Sequence, residues 1–424
     1  MPDDPDRTVT LASIEAAADN LDGVIRPLPL AGAQWLERLV GGPVRLVTEN
    51  LQRAGSFKIR GAYHRISRLS DAERARGVVA ASAGNHAQGV AVAAQLLGVK
   101  ATVFMPEGAT IPKVQATVGY GADVRFHGET IDHALEAAQE FSRETGAVLI
   151  HPFDHVDVIS GQGTLGLEII AKLPGVRTVV VCTGGGGLLA GVALAVKSVD
   201  PSVRVVGVQA ESAAAYPPSL AAGHPIRLAS MATMADGIAV GRPGDVPFAL
   251  VQQYVDHITT VSEEEISRAV LLLLERAKLV VEPAGAAATA AVLARPHDFE
   301  PPVAIVISGG NVDSLVLLRI IRYGLASAGR YLTVAVRMPD RPGSLARLLG
   351  DIQALHANVV DVEHNRVDAG LRVDEVDIVV HVETRGPEHC AMLLSDLAER
   401  GYQVITRGDE TVAGLDPAPI DHVP

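Results

Sequence analysis

"RTVVVCTGGGGLLAGVALAVKSV", residues 177–199, joins an apolar run to a helix-patterned segment through four consecutive glycines. A short apolar run bounded by a turn is typical of a strand buried in a parallel sheet, and the apolar segment after it is typical of a helix packed on that sheet. Four glycines let the backbone wrap closely around an anion, so a phosphate is a natural ligand here. The turn lacks the Gly-Lys-Ser/Thr ending of a nucleoside triphosphatase loop and the spacing of a dinucleotide fingerprint, which favours a single phosphate. Tight packing of helix on strand is the alternative explanation of the glycines.

The same strand–turn–helix rhythm extends on both sides of this stretch. A first series contains the apolar runs "GVVAAS" (77–82), "KATVFMP" (100–106) and "ADVRFHG" (122–128), each followed by a helix-patterned segment. A second series continues through "VRVVGVQAE" (203–211) to "PPVAIVISGGN" (301–311). This alternation predicts an α/β protein with two open lobes, the smaller at about 55–155. Ligands of such sheets bind at the carboxyl ends of the strands, where the glycine-rich turns fall.

Residues 331–407 have a different pattern. They read as strand, helix, two strands, helix and strand, a βαββαβ order typical of a ferredoxin-like module. We therefore predict a first region at 1–328, a second domain at 329–410 and a loose tail at 411–424. The strands alternate apolar and polar residues, as expected for a sheet with one open face. Pairing of such modules would cover an exposed sheet edge, so we expect a homodimer or homotetramer.

Composition excludes several classes of protein. The net charge of -13 argues against nucleic acid or an anionic membrane surface as a partner, because both require clustered positive charge. The longest apolar stretches are interrupted by glycines or charges, so no membrane span is expected. Two distant cysteines give no disulfide framework, and the fourteen histidines lack metal-ligand spacing. Because of that histidine spacing, no bound metal is expected. The start "MPDDPDRTVT" lacks a secretory pattern, so we expect a cytoplasmic protein.

Two further glycine-rich turns and one lysine complete a candidate site. The turn "SAGNHAQG" (82–89) presents backbone N–H groups beside Ser82, Asn85 and His86, an arrangement that can bind a carboxylate but is also typical of an ordinary helix cap. "VISGGNVD" (306–313) places Ser308 at a strand end. Alone, Lys58 in "RAGSFKIRG" (53–61) would be an exposed lysine. A lysine, a phosphate site and a carboxylate site together are what pyridoxal phosphate chemistry requires.

The motifs "GSFKIRGA", "SAGNHAQGVA", "TGGGGLLAG", "EPAGAA" and "SGGNVD", in this order, resemble the threonine dehydratase (threonine ammonia-lyase) and serine racemase group of fold-type II pyridoxal phosphate enzymes. The resemblance covers about residues 20–325 and implies a fold like that of the tryptophan synthase β subunit. "VRMPDRPGSLARLLGDIQALHANVVDVEHNR" (336–366) resembles an ACT domain, a small regulatory fold that binds amino acids. The implied reaction is elimination of water from L-threonine, or from L-serine, to give 2-oxobutanoate or pyruvate and ammonia.

The resemblance also implies residue roles. Lys58 would carry the cofactor and act as general base, with Phe57 against the cofactor ring and Ser308 facing its ring nitrogen. Asn85 would hydrogen-bond the phenolic oxygen. The substrate carboxylate would lie at the turn that contains Ser82, Ala83, Asn85 and His86. The cofactor phosphate would be held by the loop residues Gly184, Gly185, Gly186, Gly187 and Leu188.

Alternative functions depend on named residues. Serine racemase relatives carry a serine where this chain has Ala83, so we expect elimination with little racemisation; β-replacement ranks second. A non-catalytic amino-acid sensor would leave Lys58 and the phosphate loop unexplained. In the ACT-like module the resemblance implies an amino-acid effector, isoleucine or valine, bound near Asp340, Gly343 and Asn358. The position of a racemase-type metal loop, "GVQAESAAAY" (207–216), lacks acidic residues at the ligand positions, which disfavours a divalent metal.

Overall fold

The computed structural model describes residues 8–366 and 371–405. Contacts divide the chain into two compact units between Ile321 and Arg322. The domain limits expected at 328 and 410 stay predictions, and the expected tail at 411–424 lies outside the described residues. No helix within the described ranges is both long and apolar enough to cross a bilayer.

The first unit contains two sheets with helices around them. Its strands are β1 (Leu30–Gly32), β2 (Val44–Val47), β3 (Val78–Ala81), β4 (Ala101–Met105), β5 (Asp123–Phe126), β6 (Val148–Leu149), β7 (Thr178–Cys182), β8 (Arg204–Ala210), β9 (His257–Val261) and β10 (Val303–Val306). The larger sheet has the order β1-β2-β10-β7-β8-β9 and is parallel except for β1. The smaller sheet, β5-β4-β3-β6, is wholly parallel. The predicted two-lobed α/β fold is confirmed.

The helices of this unit cover the sheet faces, and the last of them continues past Ile321 into the second unit. They are α1 (Leu11–Leu21), α2 (Gln34–Val40), α3 (Lys58–Ser67), α4 (Asp71–Arg76), α5 (Asn85–Leu97), α6 (Ile111–Gly119), α7 (Ile131–Thr145), α8 (Val156–Lys172), α9 (Gly187–Val199), α10 (Tyr216–Ala222), α11 (Asp245–Tyr254), α12 (Glu263–Leu272), α13 (Pro283–Ala294) and α14 (Ser314–Ser327). The segment after α12 continues as a π-helical turn at Leu273–Ala277. The predicted βα series began at residue 77 and missed β1 and β2, and β2 pairs with β10, a strand far away in the sequence.

The second unit is an antiparallel sheet with two helices. Its elements are β11 (Tyr331–Pro339), α15 (Ser344–Ala354), β12 (Asn358–Asn365), β13 (Glu375–Glu383), α16 (Pro387–Glu399) and β14 (Gln403–Ile405). The sheet order is β12-β13-β11-β14. This is the βαββαβ order that the sequence predicts. Val336, Ile378 and Leu393 lie in its own apolar core, fully removed from solvent.

Candidate active site

Lys58 begins helix α3 at the carboxyl ends of the large-sheet strands. The preceding Phe57 donates its backbone N–H to the carbonyl of Ser308 at 3.1 Å, and Ser56 forms an isolated bridge with Gly309. These two contacts hold the start of α3 beside the turn that follows β10. The Nζ of Lys58 donates to the carbonyl of Pro152 at 2.9 Å and lies 5.1 Å from the centroid of the Phe57 ring.

Burial changes the acid–base behaviour of Lys58. Removal of its ammonium from water lowers its pKa from 10.5 to about 8, although the nearby Glu282 carboxyl acts in the opposite direction. A substantial fraction of the amine is therefore neutral near pH 8, which is the form that can act as a nucleophile or a base. The segment around Lys58, taken alone, favoured an exposed lysine; the structure holds it half-buried beside the turn that follows β10.

Helix α3 is anchored by a buried ion pair that the motif did not reveal. Arg60 is completely buried and donates from Nε and Nη2 to the two oxygens of Glu49, both at 2.8 Å. Its Nη1 donates to Glu168 at 2.5 Å. A bidentate guanidinium–carboxylate pair fixes orientation as well as distance. The helix that presents Lys58 is thus fixed two residues away from it.

Asn85 begins helix α5, and its amide orientation is fixed by two partners. Its Nδ2 donates to Oε1 of Glu282 at 2.6 Å, and its Oδ1 accepts from Nδ2 of Asn311 at 2.8 Å. Asn311 Nδ2 also donates to the carbonyl of Ala54 at 2.7 Å. The side-chain amide nitrogen of Asn85 carries two hydrogens, and only one is used by Glu282. The other can be donated to a ligand in the cleft.

Sequence reasoning assigned no role to Glu282 or Asn311, although both lie in quoted motifs. Glu282 is 4% exposed, and burial raises its pKa to about 7, with the negative charge of Asp236 acting in the same direction. A Cβ on Gly309 would lie 2.3 Å from Glu282 Oε1, so only glycine fits at that point of the turn. The signal available in the sequence was a single carboxylate in an otherwise apolar stretch, "VVEPAGAAATAAV".

The glycine loop lies between β7 and α9 and is closely surrounded. Gly186 has a φ of +99°, and a Cβ there would lie 1.8 Å from the hydroxyl oxygen of Tyr216. A Cβ on Gly185 would lie 2.4 Å from the Phe153 ring. Tyr216 donates its hydroxyl to the Gly185 carbonyl at 3.3 Å, which holds the loop.

The loop also presents free donors. The backbone bond from Ala190 N–H to Gly186 O, at 2.8 Å, closes the first turn of α9. The N–H groups of Gly187, Leu188 and Leu189 precede that first bond, so they have no helical acceptor and suit an anion at the helix N-terminus. Side-chain-free backbone, unpaired donors and a buried amine together fit the phosphate and aldehyde ends of pyridoxal phosphate.

In the turn predicted to bind the substrate carboxylate, some side chains already form hydrogen bonds within the protein. Ser82 and Ala83 are half-buried, and Ser82 Oγ accepts from the N–H of Gly84 at 3.1 Å. His86 is buried and donates from Nε2 to the carbonyl of Ile150 at 2.7 Å. Burial, helped by the charge of Lys58, lowers the pKa of His86 to about 3, so the ring is neutral. His86 therefore offers its backbone rather than a charged imidazole.

The predicted effector residues lie on the surface of the second unit. Asp340 accepts from Nε of Arg366 at 2.8 Å, and this neighbouring cation lowers the pKa of the Asp340 carboxyl. Gly343 has a φ of +89° and precedes α15, and Asn358, the first residue of β12, donates to Glu383 at 3.3 Å. All three predicted residues are exposed.

At the position of the racemase-type metal loop, residues 207–216, the side chain of Gln209 forms hydrogen bonds within the protein. Gln209 Oε1 accepts from the Tyr216 N–H at 2.9 Å and Nε2 donates to the Thr183 carbonyl at 3.3 Å. Within the described residues no group of three or more His, Cys, Asp or Glu side chains could hold a metal ion.

Comparison with known proteins agrees with this geometry. Residues 21–309 match the model of the pyridoxal-phosphate dependent enzyme family, and residues 332–399 match the ACT domain model. The chain belongs to the pyridoxal-phosphate dependent enzyme family. Its cofactor is pyridoxal phosphate, and its second unit contains an ACT domain.

Members of this family with high similarity are known by sequence and by structure. The L-threonine ammonia-lyase of Thermotoga maritima is 48% identical over 93% of this chain and 99% of that protein. The catabolic L-threonine dehydratase of Escherichia coli K12 is 42% identical over 73% and 94% of the two chains. The structure of the processed threonine deaminase isoform 2 from Solanum lycopersicum has a TM-score of 0.72 at 35% identity, covering 76% of this chain and 94% of that one. Maize serine racemase reaches a TM-score of 0.70 at 35% identity, covering 75% and 98%.

Proposed function

We propose that the protein is a threonine ammonia-lyase, which removes water from L-threonine to give 2-oxobutanoate and ammonia, with L-serine as a second substrate. The observation that carries this proposal is the similarity to the Thermotoga maritima L-threonine ammonia-lyase, which includes both the catalytic unit and the ACT domain. Its physical support is a half-buried lysine with a lowered pKa, Lys58, in one cleft with an anion-binding glycine loop.

The proposed roles of the side chains follow from their contacts. When bound, pyridoxal phosphate supplies the electron sink for removal of the Cα proton. Lys58 Nζ would hold the cofactor and, as a free amine, would serve as the base for the Cα proton; its lowered pKa of about 8 supports that use. Asn85 donates one N–H to the phenolic oxygen, and Phe57 packs against the ring. Ser308 donates to the ring nitrogen, and a serine, unlike an aspartate, cannot keep that nitrogen protonated.

The remaining proposed contacts orient the substrate and the phosphate. The loop Gly184–Leu188 binds the phosphate through its N–H groups. Ser82, Ala83, Asn85 and His86 form the carboxylate turn. Ala83 carries no exchangeable proton, so a second acid–base group on that face is lacking and elimination is favoured over racemisation. The pocket distinguishes threonine from serine by one methyl group, worth about 1–3 kcal/mol.

Regulation and assembly complete the proposal. The ACT domain, which we place at 329–410 after a catalytic region at 1–328, binds an amino-acid effector near Asp340, Gly343 and Asn358. Isoleucine and valine are the leading candidates, because 2-oxo acids are precursors of both amino acids. We further propose a cytoplasmic homo-oligomer; the two thiols among the described residues, Cys182 and Cys390, are both free, which suits a reducing compartment.

The reaction is tested by measuring 2-oxo acid formation from L-threonine, L-serine and their D-forms. We expect turnover of the L-forms, and complete loss of turnover and of the bound-cofactor absorbance in Lys58→Ala. No 2-oxo acid from either L-substrate would refute the proposal. Truncation after Ser327 should leave some activity and remove any effect of isoleucine or valine; an effect that survives truncation would place regulation elsewhere.

A further inference from the structure

Cys182 lies next to Ser308 at the adjoining ends of two paired strands. Cys182 is the last residue of β7 and Ser308 follows β10, and the two strands are parallel neighbours in the large sheet. Both residues are buried, at 4% and 3% exposure. The thiol of Cys182 donates to Oγ of Ser308, with Sγ and Oγ 3.1 Å apart. A residue that no motif singled out therefore contacts the proposed partner of the cofactor ring.

The thiol stays a donor over the whole working pH range. Burial raises the pKa of the Cys182 thiol to about 11, so the sulfur keeps its hydrogen at neutral pH. The neighbouring Thr183 does not compete for Ser308, because its hydroxyl donates to the carbonyl of Val181 at 3.2 Å.

This donor determines what the serine hydroxyl can do. A hydroxyl has one hydrogen and two lone pairs, and the Cys182 thiol occupies one of the lone pairs. The hydrogen of Ser308 then points away from the sulfur. Phe57, the residue before Lys58, donates its backbone N–H to the carbonyl of Ser308 at 3.1 Å, so this serine lies beside the start of the helix that carries the lysine.

We propose that Cys182 is a positioning residue, whose thiol holds the Ser308 hydroxyl as a hydrogen-bond donor toward the ring nitrogen of pyridoxal phosphate. The inference rests on the proposed role of Ser308. Because the nitrogen receives a hydrogen bond rather than a proton, the ring stays a weak electron sink, which suits rapid elimination. A donor-free residue at position 182 leaves Ser308 free to turn its hydrogen elsewhere.

The test is binding of two cofactors to the apoenzyme by titration calorimetry. One is pyridoxal phosphate and the other is its analogue with the ring nitrogen replaced by C–H, which cannot accept a hydrogen bond. The wild type should bind pyridoxal phosphate about 2- to 10-fold more tightly than the analogue, the worth of one neutral hydrogen bond. Ser308→Ala should abolish that preference.

The variants at position 182 separate positioning from packing. Cys182→Ala and Cys182→Val cannot donate, and each should reduce the preference to below about 2-fold, whereas Cys182→Ser should retain it. Val181→Ala creates a cavity in the same strand. It should weaken the binding of both cofactors equally and leave the preference for pyridoxal phosphate unchanged.

Two results would overturn the proposal. Full preference in both Cys182→Ala and Cys182→Val would show that the thiol does not orient Ser308, and full preference in Ser308→Ala would show that this serine does not meet the ring nitrogen. The measurement uses no amino acid. Failure of the wild type to turn over threonine, with the binding preference intact, would therefore fault only the proposed reaction.

Discussion

Replacement of Glu282 by glutamine should change the pH dependence of stability of the apoenzyme. Glu282 is 4% exposed and has a pKa raised from 4.5 to about 7. Between those two values the folded state keeps the proton and the unfolded state has released it, so stability falls as pH rises. Above pH 7 the wild type holds a buried carboxylate. The difference between the two pKa values corresponds to about 3 kcal/mol over the full titration, of which about 2 to 3 kcal/mol falls between pH 5 and pH 8.

Glu282→Gln removes this contribution while keeping an acceptor for Asn85. Relative to the wild type, the variant should therefore gain about 2 to 3 kcal/mol in free energy of unfolding between pH 5 and pH 8. Urea unfolding of the wild-type and Glu282→Gln apoproteins at four pH values measures this difference in free energy of unfolding. Fluorescence of Trp35, the single tryptophan, reports on the first unit because it lies in α2.

Glu300→Gln is the matched control for loss of one carboxylate. Glu300 is 65% exposed in its side chain and pairs with Arg177 at 3.1 Å. Exposed pairs contribute little, so this variant should differ from the wild type by about 0.5 kcal/mol or less at every pH. If Glu282→Gln behaves like Glu300→Gln, Glu282 titrates at its ordinary pKa and the account of its burial is refuted.

Three further outcomes follow from the site. Gly186→Ala should destabilise the protein by about 1–3 kcal/mol and weaken cofactor binding, since its φ is +99° and its Cβ would meet the Tyr216 hydroxyl; unchanged melting and binding would contradict the loop geometry. Asp236→Asn removes a negative charge that raises the pKa of Glu282, so the stability transition of the wild type should move to lower pH; an unmoved transition would leave burial as its sole cause. Arg60→Leu should cost about 3–5 kcal/mol by leaving the buried Glu49 carboxylate unpaired, measured by urea unfolding at pH 7, whereas a loss under about 1 kcal/mol would contradict that pairing.

The sequence was sufficient for features that depend on neighbouring residues. The α/β alternation, the glycine turns and the βαββαβ module are local patterns of hydrophobicity and turn chemistry, and the fold confirms them. Lys58, Asn85, the loop and Ser308 lie in short motifs, and their roles, which the family resemblance implies, stay predictions. Their local context even explains the free N–H groups of α9, because any helix that begins at a glycine loop has them.

The tertiary structure alone decided which side chains meet. Asn85 and Glu282 are 197 residues apart, Asn311 and Asn85 are 226 apart, and Cys182 and Ser308 are 126 apart. These contacts depend on the strand order β2-β10-β7-β8, on the packing of α13 against that sheet and on the packing of α5 against the smaller sheet, none of which a local pattern encodes. Burial follows from the same packing. The pKa values of Lys58 and Glu282 are therefore properties of the fold, since water exclusion by distant segments produces them.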